Sequence, residues 1–217
     1  MNIIAILGGT GQQGGGLARR FARAGARVVV GSRDPGRARA TVAGWGAMPQ
    51  AIEVAGYSEA VTQADVALLA VPFGSVDVSL EELRSSLKRG LIVIDVTVPI
   101  TFVAGKMAML DVAEGSASEH IRARLPGEVG LAAAFKTIPA HLLAAGDESL
   151  DCDEFVCGDS DEARASAVAL VKMLPGLRPV DVGPLARARS IEHMTALAIG
   201  INRRHKIHDA RFRIVGL

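Results

Sequence analysis

Asn2-Ile3-Ile4-Ala5-Ile6-Leu7-Gly8-Gly9-Thr10-Gly11-Gln12-Gln13-Gly14 decides the fold. A short apolar run ending in glycines reads as a parallel strand covered on both faces. From Gln12 to Ala24, Leu17, Ala18, Phe21 and Ala22 recur at helical spacing, and Gly25 stands where a helix C-terminal cap belongs. Arg27-Val28-Val29-Val30 then reads as a second strand, parallel to the first, so the stretch is a βαβ start. In that setting Gly9-Thr10-Gly11-Gln12-Gln13-Gly14 is a G-x-G-x-x-G loop that presents helix-terminal N–H groups to a pyrophosphate. Gly9 and Gly11 permit the turn and close phosphate approach, and Gly14 permits tight helix–sheet packing. The six-residue pattern alone is weak, because a plain glycine turn matches it. The flanking strands give it weight.

Outward from the loop the alternation continues. Helix is expected near 35–43, 58–63 and 76–87, and strand near 51–54, 66–70 and 91–95. Beyond a less regular segment at 100–124, in which Glu114-Gly115-Ser116-Ala117-Ser118 reads as a loop leading into a helix, strands are expected at 129–135, 154–156 and 178–182, with a helix at 162–174. Such a pattern calls for an α/β, Rossmann-type doubly wound and mainly parallel sheet, with ligands beyond the carboxyl ends of the strands. Those ends fall at Gly8, Gly31, Val71 and Thr97. After Pro184 the alternation stops, and Ile191, Met194, Thr195, Ala198 and Ile201 mark one helix face. The expected organisation is therefore a nucleotide-binding domain over 1–183 and a helical cap or dimerisation segment over 184–217.

The carboxyl end of the second strand identifies the nucleotide. Units that bind NAD place an acidic residue there, about 20 residues beyond the glycines, to hold the ribose hydroxyls. Here the end reads Gly31-Ser32-Arg33. A carboxylate repels a 2′-phosphate, whereas Ser32 donates a hydrogen bond and Arg33 a charge-assisted fork. NADP(H) is favoured over NAD(H), with Arg37 one helical turn on either adding a second cation or lying solvated.

Composition narrows the partners. With 24 basic and 23 acidic residues the net charge is +1, so no global field draws the chain to nucleic acid or an anionic membrane. Aromatics make up 4%, too few for base-stacking platforms. No apolar run is long enough to span a bilayer. Met1 leads at once into the strand and leaves no room for a secretion signal, so a cytoplasmic protein is expected. Cys152 and Cys157 lack a second ligand pair for zinc and read as reduced thiols. His205 and His208, at i, i+3, are poor evidence for a metal, and none is expected.

With Gly8-Gly9-Thr10-Gly11 and Gly31-Ser32-Arg33 in view, the chain resembles the NADPH-dependent reductases of the deazaflavin coenzyme F420. The likeness runs nearly end to end. It includes Thr97-Val98-Pro99, Glu114-Gly115-Ser116-Ala117, Ile138-Pro139-Ala140, Asp151-Cys152-Asp153, Val156-Cys157-Gly158-Asp159, Gly183-Pro184-Leu185 and Ile201-Asn202-Arg203-Arg204. The resemblance implies hydride exchange between the nicotinamide C4 of NADP(H) and C5 of the deazaflavin, coupled to a proton on the ring. The protein then aligns two flat rings and excludes water, and no acid or base on the chain is essential. It implies that Thr10, Ser32, Arg33 and Arg37 hold the adenosine phosphates and that Val71, Pro72 and Phe73 lie along the cofactor. Val98-Pro99 and Thr137-Ile138-Pro139-Ala140 would face the deazaflavin.

Lys136 departs from that family, whose members commonly carry histidine or glutamine there. A lysine either pairs with an anionic deazaflavin, donates a proton in a reductase of another small carbonyl or imine, or is a strand-end cation in water. His141 either hydrogen-bonds near the ring or starts a helix in contact with water. Arg203, Arg204 and Lys206 either dock the coenzyme's phosphodiester and polyglutamate tail or complement a helix macrodipole. A third reading is a non-catalytic NADP(H) sensor. A homodimer through the carboxy-terminal helix is expected from the apolar stretch Met194 to Ile201.

Overall fold

The computed structural model describes residues 3–146 and 148–217. Asn2, included in the expected first strand, lies outside the described residues. The strands are β1 (Ile3–Leu7), β2 (Arg27–Gly31), β3 (Ile52–Ala55), β4 (Val66–Leu69), β5 (Ile92–Asp95), β6 (Ile100–Val103), β7 (Lys106–Met109), β8 (Gly130–Ala133), β9 (Cys152–Gly158) and β10 (Leu177–Pro184). The helices are α1 (Gln12–Arg23), α2 (Pro35–Ala43), α3 (Tyr57–Gln63), α4 (Val76–Leu83), α5 (Ala117–Arg122), α6 (Ala140–Ala144), α7 (Asp161–Lys172) and α8 (Ala188–His205).

Eight strands form one sheet in the order β10-β9-β8-β5-β4-β1-β2-β3, and β8–β9 is its antiparallel junction. The remaining pairs are parallel. The order reverses between β1 and β4, which opens a crevice at their carboxyl ends, where a doubly wound sheet binds ligands. Apolar layers cover both faces. Leu17, Phe21, Leu143 and Leu170 fill one, and Tyr57, Leu80, Leu83 and Ile121 the other. Burial on both faces explains why the inner strands read as unbroken apolar runs rather than alternating ones.

The segment at 100–124, expected to be less regular, contains an antiparallel hairpin of β6 and β7, and α5 then begins at Ala117, where the loop is expected to lead into a helix. The hairpin's Phe102 and Val103 are exposed, so no buried face imposes a pattern on its sequence. Strand β8 is shorter than expected because the chain turns at Phe135, which has φ 59°. Helix α8 lays Ala188 and Ile191 against Ala133, Phe155 and Cys157 of β8 and β9.

Candidate active site

At the carboxyl ends of β1, β2 and β4 lies a cleft of about 420 Å³, lined by residues that include Thr10, Gly11, Ser32, Arg33, Arg37, Tyr57, Val71 and Pro72. Its floor is the glycine turn. Gly8 has φ +75°, and a Cβ there would meet the Ala70 carbonyl oxygen at 2.6 Å. Gly9 and Gly14 are buried beneath the turn rather than lining it; a Cβ on Gly14 would meet the Gly8 carbonyl oxygen at 2.6 Å. Helix α1 starts with Gly11 at its cap and has no acidic residue in its first turn, which leaves its amide end open to an anion.

Arg33 and Arg37 are exposed on the rim of this cleft, and neither makes an ion pair among the described residues. Ser32 Oγ donates to the Asp34 carbonyl and accepts from the Asp34 amide, each at 3.1 Å. Asp34 is a carboxylate on the same rim, but its Oδ1 accepts from the Arg37 amide at 3.0 Å and so caps α2. Tyr57 is a lining residue that sequence reasoning did not find. Burial pushes its phenol up, against the opposing pull of Arg33.

A second cleft of about 480 Å³ shares Gly11, Ala70, Val71 and Pro72 with the first. Gln12, Gln13, Phe73, Val98, Thr137, Ile138, Pro139 and Ala140 line it, and α8 closes it with Thr195, Ala198, Ile199 and Asn202. Gln13 Nε2 donates to the Phe135 carbonyl at 2.7 Å and thereby ties the phosphate turn to the loop after β8. Phe73 meets the His120 ring edge-on at 5.2 Å, and His120 is held between Asp77 and Glu114. Hydrogen bonds from Arg124 and His120 hold the Glu114 carboxyl down at about 2.

Not every expected residue joins the clefts. Pro99 faces a separate hollow with Met109, Leu110 and His193. His141 is exposed on α6 and lines neither cleft. Arg203, Arg204 and Lys206 end α8 in solvent, with Arg203 donating to the Gly105 carbonyl at 3.3 Å. Cys152 and Cys157 are free and buried, and burial pushes both thiols up to about 12.

Lys136 corrects the reading of a strand-end cation in water. Its side chain is fully buried, and Nζ donates to Asp95 Oδ2 at 2.6 Å, to Glu192 Oε1 at 3.1 Å and to the Thr97 carbonyl. Burial alone would lower its pKa, but Asp95 and then Glu192 outweigh that and hold it raised. Burial raises Glu192 against the pull of the ammonium. Ser118 Oγ adds a 2.6 Å bond to Asp95 Oδ2, and the Ala117 amide a 3.2 Å bond to Glu192 Oε2. The lysine thus joins β5, α5 and α8 within the wall of the second cleft, where it is a lining residue with no exposed side-chain surface.

Sheet order, glycine turn and adjoining clefts define the class: a Rossmann-type α/β fold of the dinucleotide-binding kind. A family model described as NADP oxidoreductase, coenzyme F420-dependent, matches residues 3–99. The F420-dependent NADP reductase of Methanothermobacter thermautotrophicus is 39% identical over 99% of this chain and 95% of its own. That of Methanocaldococcus jannaschii is 33% identical over 99% of this chain and 98% of its own. A solved Arthrobacter protein assigned to the F420-dependent NADP reductases superposes with a TM-score of 0.83 at 25% identity, covering 98% of each chain. The chain belongs to the coenzyme F420-dependent NADP oxidoreductase family.

Proposed function

We propose that the protein transfers hydride between NADP(H) in the first cleft and coenzyme F420 in the second. The observation that carries this reading is the junction of the clefts. They share Gly11, Ala70, Val71 and Pro72, so a dinucleotide along the first delivers its nicotinamide to the mouth of the second. The residues present fit the groups. The glycine cradle, which a Cβ on Gly8 would fill, admits a pyrophosphate to the open end of α1, and Arg33 and Arg37 face the place of a 2′-phosphate. Val71, Pro72, Phe73, Val98, Ile138 and Pro139 offer apolar surface to a flat ring. When bound, the two groups supply the hydride donor and acceptor carbons. The chain binds and aligns them while α8 excludes water, so proximity supplies most of the rate.

Lys136 takes no part as a proton donor, because its ammonium is committed to Asp95, Glu192 and the Thr97 carbonyl. That removes the main support for a carbonyl or imine reductase. The test is bleaching of oxidised F420 absorbance by NADPH with purified protein; no bleaching overturns the reading.

We assign nucleotide binding to residues 1–183 and closure of the second cleft to 184–217, which contribute Thr195, Ala198, Ile199 and Asn202. We further propose a homodimer paired through α8, supported by Leu197, 56% exposed on that helix, and by Phe102 and Val103, exposed on the hairpin whose β7 packs against it. Sedimentation at the mass of a single chain overturns the dimer. Free thiols at Cys152 and Cys157 fit the cytoplasm. Among the described residues no helix is long and apolar enough to cross a membrane.

A further inference from the structure

Glu154 lies in the middle of β9, fully buried, and the hydride transfer proposed above does not use it. Its two oxygens have different partners. Oε1 accepts from the Lys136 amide at 3.1 Å, and Oε2 is 2.9 Å from Thr137 Oγ1. Thr137 lines the second cleft, so the residue carrying this hydroxyl stands between a buried carboxyl group and the space for a substrate. A hydroxyl has one proton to give and lone pairs to receive. Against an ionised carboxylate, which only accepts, the Thr137 proton must point inward, and the hydroxyl offers the cleft lone pairs alone. Against a protonated carboxyl group the bond reverses: Oε2–H donates to Oγ1, and the Thr137 proton is free to turn into the cleft.

We propose that Glu154 sets the hydrogen-bonding direction of Thr137, and that the protonated form lets Thr137 donate to an acceptor atom of the flat heteroaromatic substrate in the second cleft. This rests on the reading of that cleft as the F420 site. Hydride arriving at a ring carbon carries an electron pair into the ring, and negative charge develops on conjugated oxygen or nitrogen. A donor already aimed at that atom stabilises the charge. No proton need leave Glu154 in this step, so it is a positioning residue acting through Thr137.

The surroundings keep both forms of Glu154 accessible. Burial pushes its carboxyl group up to about 7, against hydrogen bonds from Thr137 and from the amides of Lys136, Phe135 and Thr137. The Lys136 ammonium turns away to Asp95 and Glu192. Cys152, two residues earlier on the strand, has its thiol pushed up to about 12 and stays neutral, with Arg211 beyond it. Asp153 is paired with Arg178. From α1, Arg20 is directed to the carbonyls of Leu142, Leu143 and Glu148.

Glu154→Gln tests the proposal, because the amide oxygen can keep the Lys136 amide while the NH₂ donates permanently to Thr137. In the wild type, reduction of F420 by NADPH falls as pH rises through about 7 and levels off at the lower rate of the ionised form. In E154Q that fall is absent. Independently of turnover, oxidised F420 binding to the wild type in weak buffer near pH 7 takes up a fraction of a proton per site, read with a pH indicator, and binding to E154Q takes up none. If E154Q does not fold, Thr137→Ser and Thr137→Val replace it, with proton uptake kept by the serine and lost by the valine. An unchanged pH limb in E154Q, or equal proton uptake with and without the hydroxyl or carboxyl group, overturns the role of Glu154. No F420 reduction by either protein overturns the reading of the cleft, and with it the proposal.

Discussion

Arg33 and Lys136 are both cations beside the clefts, and their surroundings give them opposite uses. Arg33 is exposed on the rim with no ion pair among the described residues, so its guanidinium is available to a ligand. Lys136 is buried with its donors engaged by Asp95, Glu192 and the Thr97 carbonyl, so its charge is paired within the protein instead. For Arg33→Ala we expect the Michaelis constant for NADPH to rise by roughly 10- to 100-fold, the effect of losing one or more charge-assisted hydrogen bonds. NADH lacks the 2′-phosphate and should change little. Equal rises for both coenzymes in steady-state assays contradict the assignment. Arg33 was legible because its meaning lies in local spacing: it follows a strand and a glycine at a fixed distance from the phosphate loop. The burial of Lys136 was not, because its partners Asp95 and Glu192 come from distant parts of the chain and carry no pattern near residue 136.

Among elements, α1 depends most closely on its sequence. Its amide end points into the junction of the clefts only because the chain packs glycine against glycine. The Gly14→Ala Cβ would meet the Gly8 carbonyl at 2.6 Å and Gly9 Cα at 3.0 Å, backbone atoms that cannot yield as a flexible side chain does. We expect Gly14→Ala to cost about 1–3 kcal/mol by overpacking and to weaken NADPH binding by displacing the turn. Urea denaturation and calorimetric titration check this; wild-type values for both contradict it. The strands and helices that were legible are those with both faces or one clear face buried, such as β1, β4 and α1. The β6–β7 hairpin was missed because exposed Phe102 and Val103 interrupt any inside–outside alternation. The break at Phe135 was missed because positive φ is unusual for phenylalanine, and its buried edge-on packing against Phe21 is a tertiary contact.

Across the whole molecule, the sheet reversal between β1 and β4 places the first cleft, and the return of α8 across β8 and β9 brings one wall of the second. Neither half makes the proposed site alone. In the proposed function the glycine loop holds a dinucleotide, Ser32 and Arg33 select NADP(H), and the second cleft takes the other reactant. The most direct measurement is the absorbance of oxidised F420 on mixing with purified protein and NADPH or NADH. The account predicts rapid bleaching with NADPH, much slower bleaching with NADH at equal concentration, and reversal when reduced F420 meets NADP. Persistence of the F420 absorbance with NADPH, in protein shown to bind NADPH, contradicts it.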